Sequence, residues 1–215
     1  MSSIAPLQQL RTVTTFDDSW YRAITSFAQH TGWLQEPMKL YTEGSLVVLG
    51  LMALYGWWSA RSRSDRGAMA AIAWLGLGTL ISLGAGLTLK SIFEENRPCQ
   101  VIHVATVQAC PGLTDYSFPS DHTTFGVALA LGLWLVARKL GIIALALAAV
   151  EGFSRVYLGQ HYPHDVLAGA VLSGVIMLTG WLATRAVLAR ILAGLEATPL
   201  KVLLVAAPQR QKTPA

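Results

Sequence analysis

Long apolar runs, separated by short charged segments, dominate the pattern of this chain. Three of the runs contain no charged residue, and they cover residues 44–60, 67–89 and 166–184. A helix that crosses a bilayer needs about 20 predominantly apolar residues. The pattern therefore predicts three membrane-spanning helices, of which the first is slightly short.

The apolar stretch at residues 123–153 is longer, and Arg138 and Lys139 interrupt it near its middle. One helix over the whole stretch would be about 46 Å long, whereas the hydrocarbon core of a bilayer is about 30 Å thick. We therefore predict two shorter helices, over residues 123–137 and 140–153, joined by a hairpin turn at Arg138–Gly141.

Five spans place the basic residues of the remaining segments on one side of the membrane, which the positive-inside rule assigns to the cytoplasm. These residues lie between the first and second spans, between the third and fourth, and after the fifth: Arg61, Arg63, Arg66, Arg138, Lys139, Arg185, Arg190, Lys201, Arg210 and Lys212. Residues 90–122 and 154–165, with the N-terminus, then face the periplasm or the exterior. We expect a multi-pass protein of the cell membrane (inner or plasma) with a cytoplasmic C-terminus.

Residues 19–34 are amphipathic, with Trp20 and Phe27 among apolar residues that recur at roughly helical spacing. Aromatic and apolar residues on one face of a helix are typical of a helix that lies in the membrane interface. A sixth span is the alternative, against which Arg22 and His30 count. We therefore predict an interfacial helix here.

Only 13% of the 215 residues are charged, whereas soluble domains average about 25%. The net charge of +4 forms no basic stripe, which argues against a nucleic-acid partner. The predicted fold is all-α, an integral membrane helical bundle with five, alternatively six, transmembrane helices plus the N-terminal interfacial amphipathic helix. We expect an N-terminal segment at 1–43, a transmembrane domain at 44–185 and a cytoplasmic tail at 186–215, which should fray from residue 199 onward.

Three polar motifs lie at the ends of the apolar runs. They are Lys90-x6-Arg97-Pro98, Pro119-Ser120-Asp121-His122 and Ser154-Arg155-x5-His161-x3-Asp165. Three cations on the outward side, where the positive-inside rule predicts few, favour a phosphate cradle over unrelated interfacial or loop residues. Arginine offers paired donors to phosphate oxygens, and lysine a compact charge.

His161 and Asp165 are four residues apart. If the fifth span begins near Pro163, the carboxylate can hold one imidazole nitrogen and leave the other free to attack phosphorus. The alternative is that Asp165 caps the helix and His161 is a loop residue. His164 has the wrong spacing for such a pair, and we expect it to face solvent or lipid headgroups.

His122 lies at the predicted start of a helix, where unsatisfied N–H groups and the macrodipole favour an anion. Ser120 can add a hydroxyl donor, although Ser120 or Asp121 alone would also be a normal N-cap. His122 is then placed to protonate a leaving oxygen as a general acid. A metal held by His122, His161 and Asp165 is the alternative, but adjacent cations would repel it, so we expect no metal or cofactor.

The three motifs, in this order on an apolar helical chain, resemble the phosphatidic acid phosphatase type 2 superfamily over about residues 44–185. The resemblance implies a metal-independent hydrolase of lipid phosphates that works through a phosphohistidine. It implies that His161 is the nucleophile, that Asp165 orients it and that His122 is the acid. The positions that it assigns to phosphate binding are Lys90, Arg97, Ser120 and Arg155.

Asp121 departs from the usual second motif, in which glycine precedes the histidine. The form FPSDHT, at residues 118–123, is similar to bacterial undecaprenyl-diphosphate phosphatases of that superfamily. This implies conversion of undecaprenyl or another polyprenyl diphosphate to the monophosphate, in recycling of the carrier lipid for cell-wall synthesis. We expect Asp121 to pair with a cradle cation or to raise the basicity of a histidine, and an outward-facing N-cap is the alternative.

Other activities stay open on the same motifs. The substrate can instead be phosphatidic acid or phosphatidylglycerol phosphate, and the reaction can instead be phosphoryl transfer to a second lipid. A non-catalytic membrane protein with a degenerate site is a further hypothesis, which the presence of every motif residue disfavours. The expected partners are a lipid phosphate or diphosphate and membrane lipids.

Cys99 and Cys110 both lie in the segment expected to face an oxidising compartment. We predict a disulfide that closes a loop of about 12 residues and braces the nearby Arg97. Two free thiols are the alternative.

Overall fold

A computed structural model describes residues 15–206, which fold as helices with no strand among them. The helices are α1 Thr15–His30, α2 Gly32–Ser62, α3 Arg66–Phe93, α4 Pro98–Val101, α5 Asp121–Val136, α6 Arg138–Tyr157, α7 Pro163–Leu195 and α8 Lys201–Leu204. The all-helical prediction is confirmed for these residues. The tail residues Arg210 and Lys212, used above for orientation, lie outside the described range.

The centre of the bundle is α5, which packs against α3, α6 and α7. The main apolar core lies where α2, α3, α5 and α6 meet, and it includes Leu49, Leu75, Leu129, Leu133 and Ala148. Small residues let the helices approach closely. At Gly169 of α7, an added Cβ would lie 2.8 Å from the carbonyl oxygen of Ser120, so this glycine allows the starts of α5 and α7 to touch.

Three helical stretches are long and apolar enough to cross a membrane: Arg66–Val101, which takes in α3 and α4, Arg138–Tyr157 and Pro163–Leu195. The helix α5 is apolar but shorter. The predicted pair of helices in residues 123–153 corresponds to α5 and α6. The break between them is at Ala137, whose backbone is extended, so Arg138 begins α6 instead of forming the turn. The number of crossings stays a prediction.

The predicted interfacial helix over residues 19–34 is wrong in its boundaries. The first helix ends at His30, and α2 already begins at Gly32, well before the predicted first span. The break is at Thr31, whose hydroxyl donates to the Phe27 carbonyl at 2.8 Å and lies 2.7 Å from the Tyr157 hydroxyl. A contact to α6, distant in sequence, therefore separates α1 from α2.

Part of the tail is ordered, contrary to the prediction of fraying from residue 199. Trp57 Nε1 donates to the Leu203 carbonyl at 3.1 Å, and Arg61 Nε donates to the Val202 carbonyl at 2.7 Å. These bonds fasten α8 to the end of α2. The helix α7 also extends to Leu195, beyond the predicted end of the last span at residue 184.

Candidate active site

The three motifs meet at one end of the bundle. Lys90 lies in the last turn of α3, and Arg97 directly precedes α4. Ser120, Asp121 and His122 lie at the start of α5. Arg155 lies near the end of α6, His161 in the α6–α7 turn and Asp165 in the first turn of α7. All are buried except Asp121 and His122, which are half-buried.

Arg97 and Asp165 contact opposite nitrogens of His161. Arg97 Nη1 lies 3.1 Å from His161 Nε2, and Asp165 Oδ2 lies 3.4 Å from His161 Nδ1. A guanidinium can only donate, so Nε2 accepts and the ring proton is assigned to Nδ1, facing Asp165. In this tautomer the Nε2 lone pair is directed towards Arg97. A phosphate bound by Arg97 would therefore lie next to the nitrogen that could attack it.

His161 is 1% exposed. Burial lowers its pKa well below the usual range, and the positive charges of Arg97, Arg155 and Lys90 lower it further. The same three charges that would bind a phosphate therefore keep this imidazole neutral. A neutral imidazole is the form that can act as a nucleophile.

The turn that carries His161 depends on Gly159. Its φ of 85° is a left-handed conformation that side chains disfavour, and an added Cβ would lie 2.5 Å from Thr106. The Tyr21 hydroxyl of α1 donates to the Gly159 carbonyl at 3.1 Å. The N-terminal helix therefore fastens the same turn from outside.

Arg97 is held by several backbone and side-chain acceptors. Its Nε donates to the Asp115 carbonyl and its Nη2 to Asp115 Oδ1, both at 2.9 Å, and Nη1 also donates to the Gln160 carbonyl at 3.1 Å. Burial tends to raise the pKa of Asp115, but the hydrogen bond and charge of Arg97 hold it below its usual range. Arg97 therefore has a fixed orientation before any substrate arrives.

Lys90 and Asp121 form an ion pair across the site. The N-cap of α5 is Ser120, whose Oγ accepts from Thr123 N at 3.5 Å and from Thr123 Oγ1 at 3.1 Å. The alternative in which Asp121 is the N-cap therefore does not describe this structure. Since Ser120 Oγ accepts in both contacts, its own proton is available to a phosphate oxygen.

Arg155 completes the cationic side of the site. Its Nη1 donates to Thr42 Oγ1 at 3.2 Å. Its Nε is buried, and within residues 15–206 it has no hydrogen-bond partner. A buried donor of this kind needs an acceptor, and a phosphate oxygen would supply one.

Comparison with known proteins identifies the family of this chain. Residues 70–189, which include all the motif residues, match the model of the PAP2 superfamily. The chain belongs to the PAP2 superfamily. PAP2 is the phosphatidic acid phosphatase type 2 superfamily that the motifs resembled, so that prediction is confirmed, and the chain is a membrane lipid phosphatase.

Two relatives and one solved structure show how far the likeness extends. The chain is 30% identical over 156 residues to undecaprenyl-diphosphatase BcrC of Bacillus subtilis, covering 73% of this chain and 78% of that protein. It is 30% identical over 161 residues to putative undecaprenyl-diphosphatase YbjG of Escherichia coli, covering 74% and 77%. The crystal structure of a transmembrane PAP2-type phosphatidylglycerolphosphate phosphatase from Bacillus subtilis has the same fold, with a TM-score of 0.58, 24% identity, and coverage of 80% of this chain and 85% of that one.

The prediction for His164 missed most of its contacts. Its side chain is 36% exposed, but its ring stacks against the rings of Phe118 and Tyr162. Its Nδ1 lies 2.8 Å from Asp17 Oδ2, and its Nε2 lies 3.1 Å from Glu95 Oε2. Spacing from its sequence neighbours could not show that α1 and the end of α3 bring two carboxylates to this imidazole.

His164 Nε2 also lies 3.2 Å from Asp165 Oδ1. Among the described residues, the group whose atoms could together hold a metal is Glu95, His164 and Asp165, and these residues are engaged with one another in ion pairs. The metal-binding alternative considered in the sequence analysis consisted of His122, His161 and Asp165. Asp165 therefore lies between two histidines, of which only His161 faces the cations.

Asp115, Thr42 and Glu151 are the polar site residues that the motif search missed. Asp115 is the only acidic residue between Glu95 and Asp121 in the printed sequence. The absence of other acidic residues from this segment was the sequence signal that Asp115 could pair with Arg97. A lone carboxylate in a segment that also carries a candidate phosphate-binding arginine is a suitable ion-pair partner for that arginine.

The structure joins Cys99 and Cys110 by a disulfide. We expect a Cys99→Ser/Cys110→Ser double variant to lose about 3 kcal/mol of stability, because the unfolded chain regains the entropy of the open loop. Since the loop begins two residues after Arg97, the KM for phosphate substrates should also rise. Thermal unfolding in detergent, with steady-state kinetics on the same samples, measures both effects. An unchanged unfolding midpoint in the double variant would contradict the prediction.

Proposed function

We propose that this PAP2 phosphatase hydrolyses a lipid diphosphate through a phosphohistidine on His161. The favoured substrate is undecaprenyl or another polyprenyl diphosphate, which is converted to the monophosphate. The observation that carries the proposal is the buried His161, whose Nε2 points at Arg97 and whose pKa is lowered by burial and by neighbouring cations. The cations supply the positive charge that a metal supplies in other phosphatases, and no cofactor is required.

In the first step, the terminal phosphoryl group enters between Arg97 and His161. Arg97 keeps its hydrogen bonds to Asp115 and Gln160. The Nη1 proton that faces His161 Nε2 is donated instead to a phosphate oxygen. His161 Nε2 then forms a bond to phosphorus, and the bond from phosphorus to the bridging oxygen breaks. Asp165 stabilises the positive charge that develops on the ring through the Nδ1 proton.

Burial and the charges of nearby cations, chiefly Arg155, lower the pKa of His122 to about 4, and the negative charge of a bound diphosphate would offset these cations. His122 can then carry a proton and donate it to the departing oxygen of the lipid monophosphate. The N–H groups of Asp121 and His122 lie in the first turn of α5, where no helix carbonyl can accept from them, so they can bind the same anion. In the second step a water loses its proton to His122 and attacks phosphorus. The bond from phosphorus to Nε2 breaks, which releases inorganic phosphate and restores His161.

The substrate class rests on two supports. The relatives described above are named undecaprenyl-diphosphatases, and the Asp121 form of the second motif is similar to that group. The structural neighbour is named a phosphatidylglycerolphosphate phosphatase, which keeps a phospholipid phosphate as the second candidate. We propose five crossings, a cytoplasmic C-terminus and a site on the periplasmic or exterior face. The proposed role is recycling of the carrier lipid for cell-wall synthesis.

A substrate panel tests the proposal. Purified protein in detergent with EDTA would be assayed on undecaprenyl diphosphate, phosphatidic acid and phosphatidylglycerol phosphate. We expect the highest kcat/KM for undecaprenyl diphosphate. A higher value for either phospholipid would replace the favoured substrate, and labelled phosphate on a second lipid would show a phosphotransferase. Activity that requires an added divalent cation would contradict the metal-independent mechanism.

The lowered pKa of His161 predicts an unusual pH dependence. An ordinary histidine, with a pKa of about 6.5, would be roughly three-quarters protonated at pH 6. Because the pKa of His161 lies well below that value, the ring stays neutral. Phosphoenzyme formation from a nitrophenyl phosphate, whose leaving group does not need the proton of His122, should therefore change little between pH 7.5 and pH 6. Removing a cation in Arg97→Gln raises the pKa, so the acid limb should move to higher pH.

Rapid mixing with labelled substrate, followed by an alkaline quench that preserves phosphohistidine, measures this rate. Wild type and Arg97→Gln would be compared across the same pH series. A wild-type acid limb centred near pH 6.5 would show that His161 titrates as an ordinary histidine.

A further inference from the structure

Glu151 is a buried acid that the mechanism above does not use. It lies in the apolar helix α6, and its exposed fraction is 0%. In the printed sequence it is the only acidic residue between Asp121 and Asp165. A carboxylate in a helix that enters a membrane is costly and needs a partner. The contacts of Glu151 therefore indicate the role of this carboxylate.

Two hydroxyl groups of α2 contact the two oxygens of Glu151. Thr42 Oγ1 donates to Oε1 at 2.6 Å, and Ser45 Oγ donates to Oε2 at 2.7 Å. Thr42 and Ser45 are themselves buried. The carboxylate is therefore enclosed between α2 and α6 and is satisfied there.

Thr42 also links Glu151 to the phosphate cradle. Arg155 Nη1 lies 3.2 Å from Thr42 Oγ1. A guanidinium can only donate and a hydroxyl has one proton, so Thr42 accepts from Arg155 and donates to Glu151. The order of donation is fixed: it runs from Arg155 to Thr42 and from Thr42 to Glu151.

This arrangement leaves one edge of the Arg155 guanidinium for a ligand. Thr42 holds Nη1, while the buried Nε has no partner among residues 15–206. We propose that Glu151, acting through Thr42, is a positioning residue for Arg155. It fixes which edge of the guanidinium faces the phosphate. The inference rests on the proposed function, in which Arg155 binds phosphate.

Valine in place of Thr42 removes the hydroxyl and keeps the shape of the side chain. We expect Thr42→Val and Glu151→Gln each to lower kcat/KM by about tenfold, the size expected for a hydrogen bond to a charged group. Inhibition by orthovanadate, a phosphate analogue, should weaken by a similar factor. Thr42→Ser keeps the hydroxyl and should restore both values to within about twofold of wild type.

Thr79→Val is the matched control. Thr79 is a buried threonine of α3 whose Oγ1 has no hydrogen-bond partner in the described part of the chain. The same chemical change there should leave kcat/KM and vanadate inhibition unchanged. A Thr79→Val loss equal to that of Thr42→Val would show a general packing effect and would overturn the proposal.

A double-mutant cycle separates positioning from packing. In an Arg155→Ala background, assayed at high enzyme concentration, Thr42→Val should have no further effect on kcat/KM. An undiminished tenfold loss in that background, or wild-type kinetics for Thr42→Val alone, would overturn the proposal. A His161→Ala variant with normal activity would instead contradict the proposed function, so the two failures are distinct.

Discussion

Replacing His161 by alanine is expected to abolish phosphate release, with kcat falling by about 10⁴-fold or more. The variant lacks the nitrogen that would bond to phosphorus, and no other imidazole among the described residues accepts from Arg97 at that point. Because Arg97, Arg155 and Lys90 remain, substrate binding should persist. The expected result is a folded protein that binds the lipid and does not turn it over.

His103→Ala is the control for this experiment. His103 lies in the same outward segment and is exposed, and its hydrogen bond is to the Val101 carbonyl. Phosphate release and labelled phosphoenzyme would be measured for both variants, in detergent and with EDTA. The control should behave as wild type. Full activity in His161→Ala would exclude this histidine as the nucleophile.

Replacing His122 by alanine should lower kcat on a lipid diphosphate by about 10²–10⁴-fold, the range for loss of a general acid. The loss should depend on the leaving group. A lipid monophosphate leaves as a basic oxyanion and needs the proton, whereas a nitrophenolate is stable without one. The first step on a nitrophenyl phosphate should therefore be much less affected.

The experiment compares phosphoenzyme formation from the two substrates in wild type and His122→Ala. Since His122 also activates water in the second step, the variant should accumulate phosphohistidine from the aryl substrate. An equal loss on both substrates would assign His122 to binding instead of proton transfer. The His103→Ala variant again provides the matched histidine control.

Local pattern was sufficient for much of this protein. Uninterrupted apolar runs require helices in a membrane, because every backbone polar group must be bonded within the segment. The spacing of His161 and Asp165 across a helix start predicted a pair that the structure places 3.4 Å apart. The motif order alone identified the superfamily that the comparisons confirm.

Helix ends were less predictable. The helix α2 begins at Gly32, before the predicted first span at residues 44–60. It includes the polar residue Thr42, which donates to Glu151. The described part of the tail is held against α2, because Arg61 donates to the Val202 carbonyl of α8 and accepts from the Ala206 N–H. In both cases a residue far away in sequence forms hydrogen bonds with polar groups that would otherwise need water as a partner.

The amino-acid sequence alone thus determined the membrane class and the helical architecture, and it supplied the candidate reacting residues, since these follow from local composition and short spacing. Only the tertiary structure decided what each reacting residue contacts. Arg97 meets His161 across 64 positions, Arg155 meets Thr42 across 113, and His164 meets Asp17 across 147. No local pattern encodes such pairs, because they form only when packing of the apolar helices brings their polar ends together.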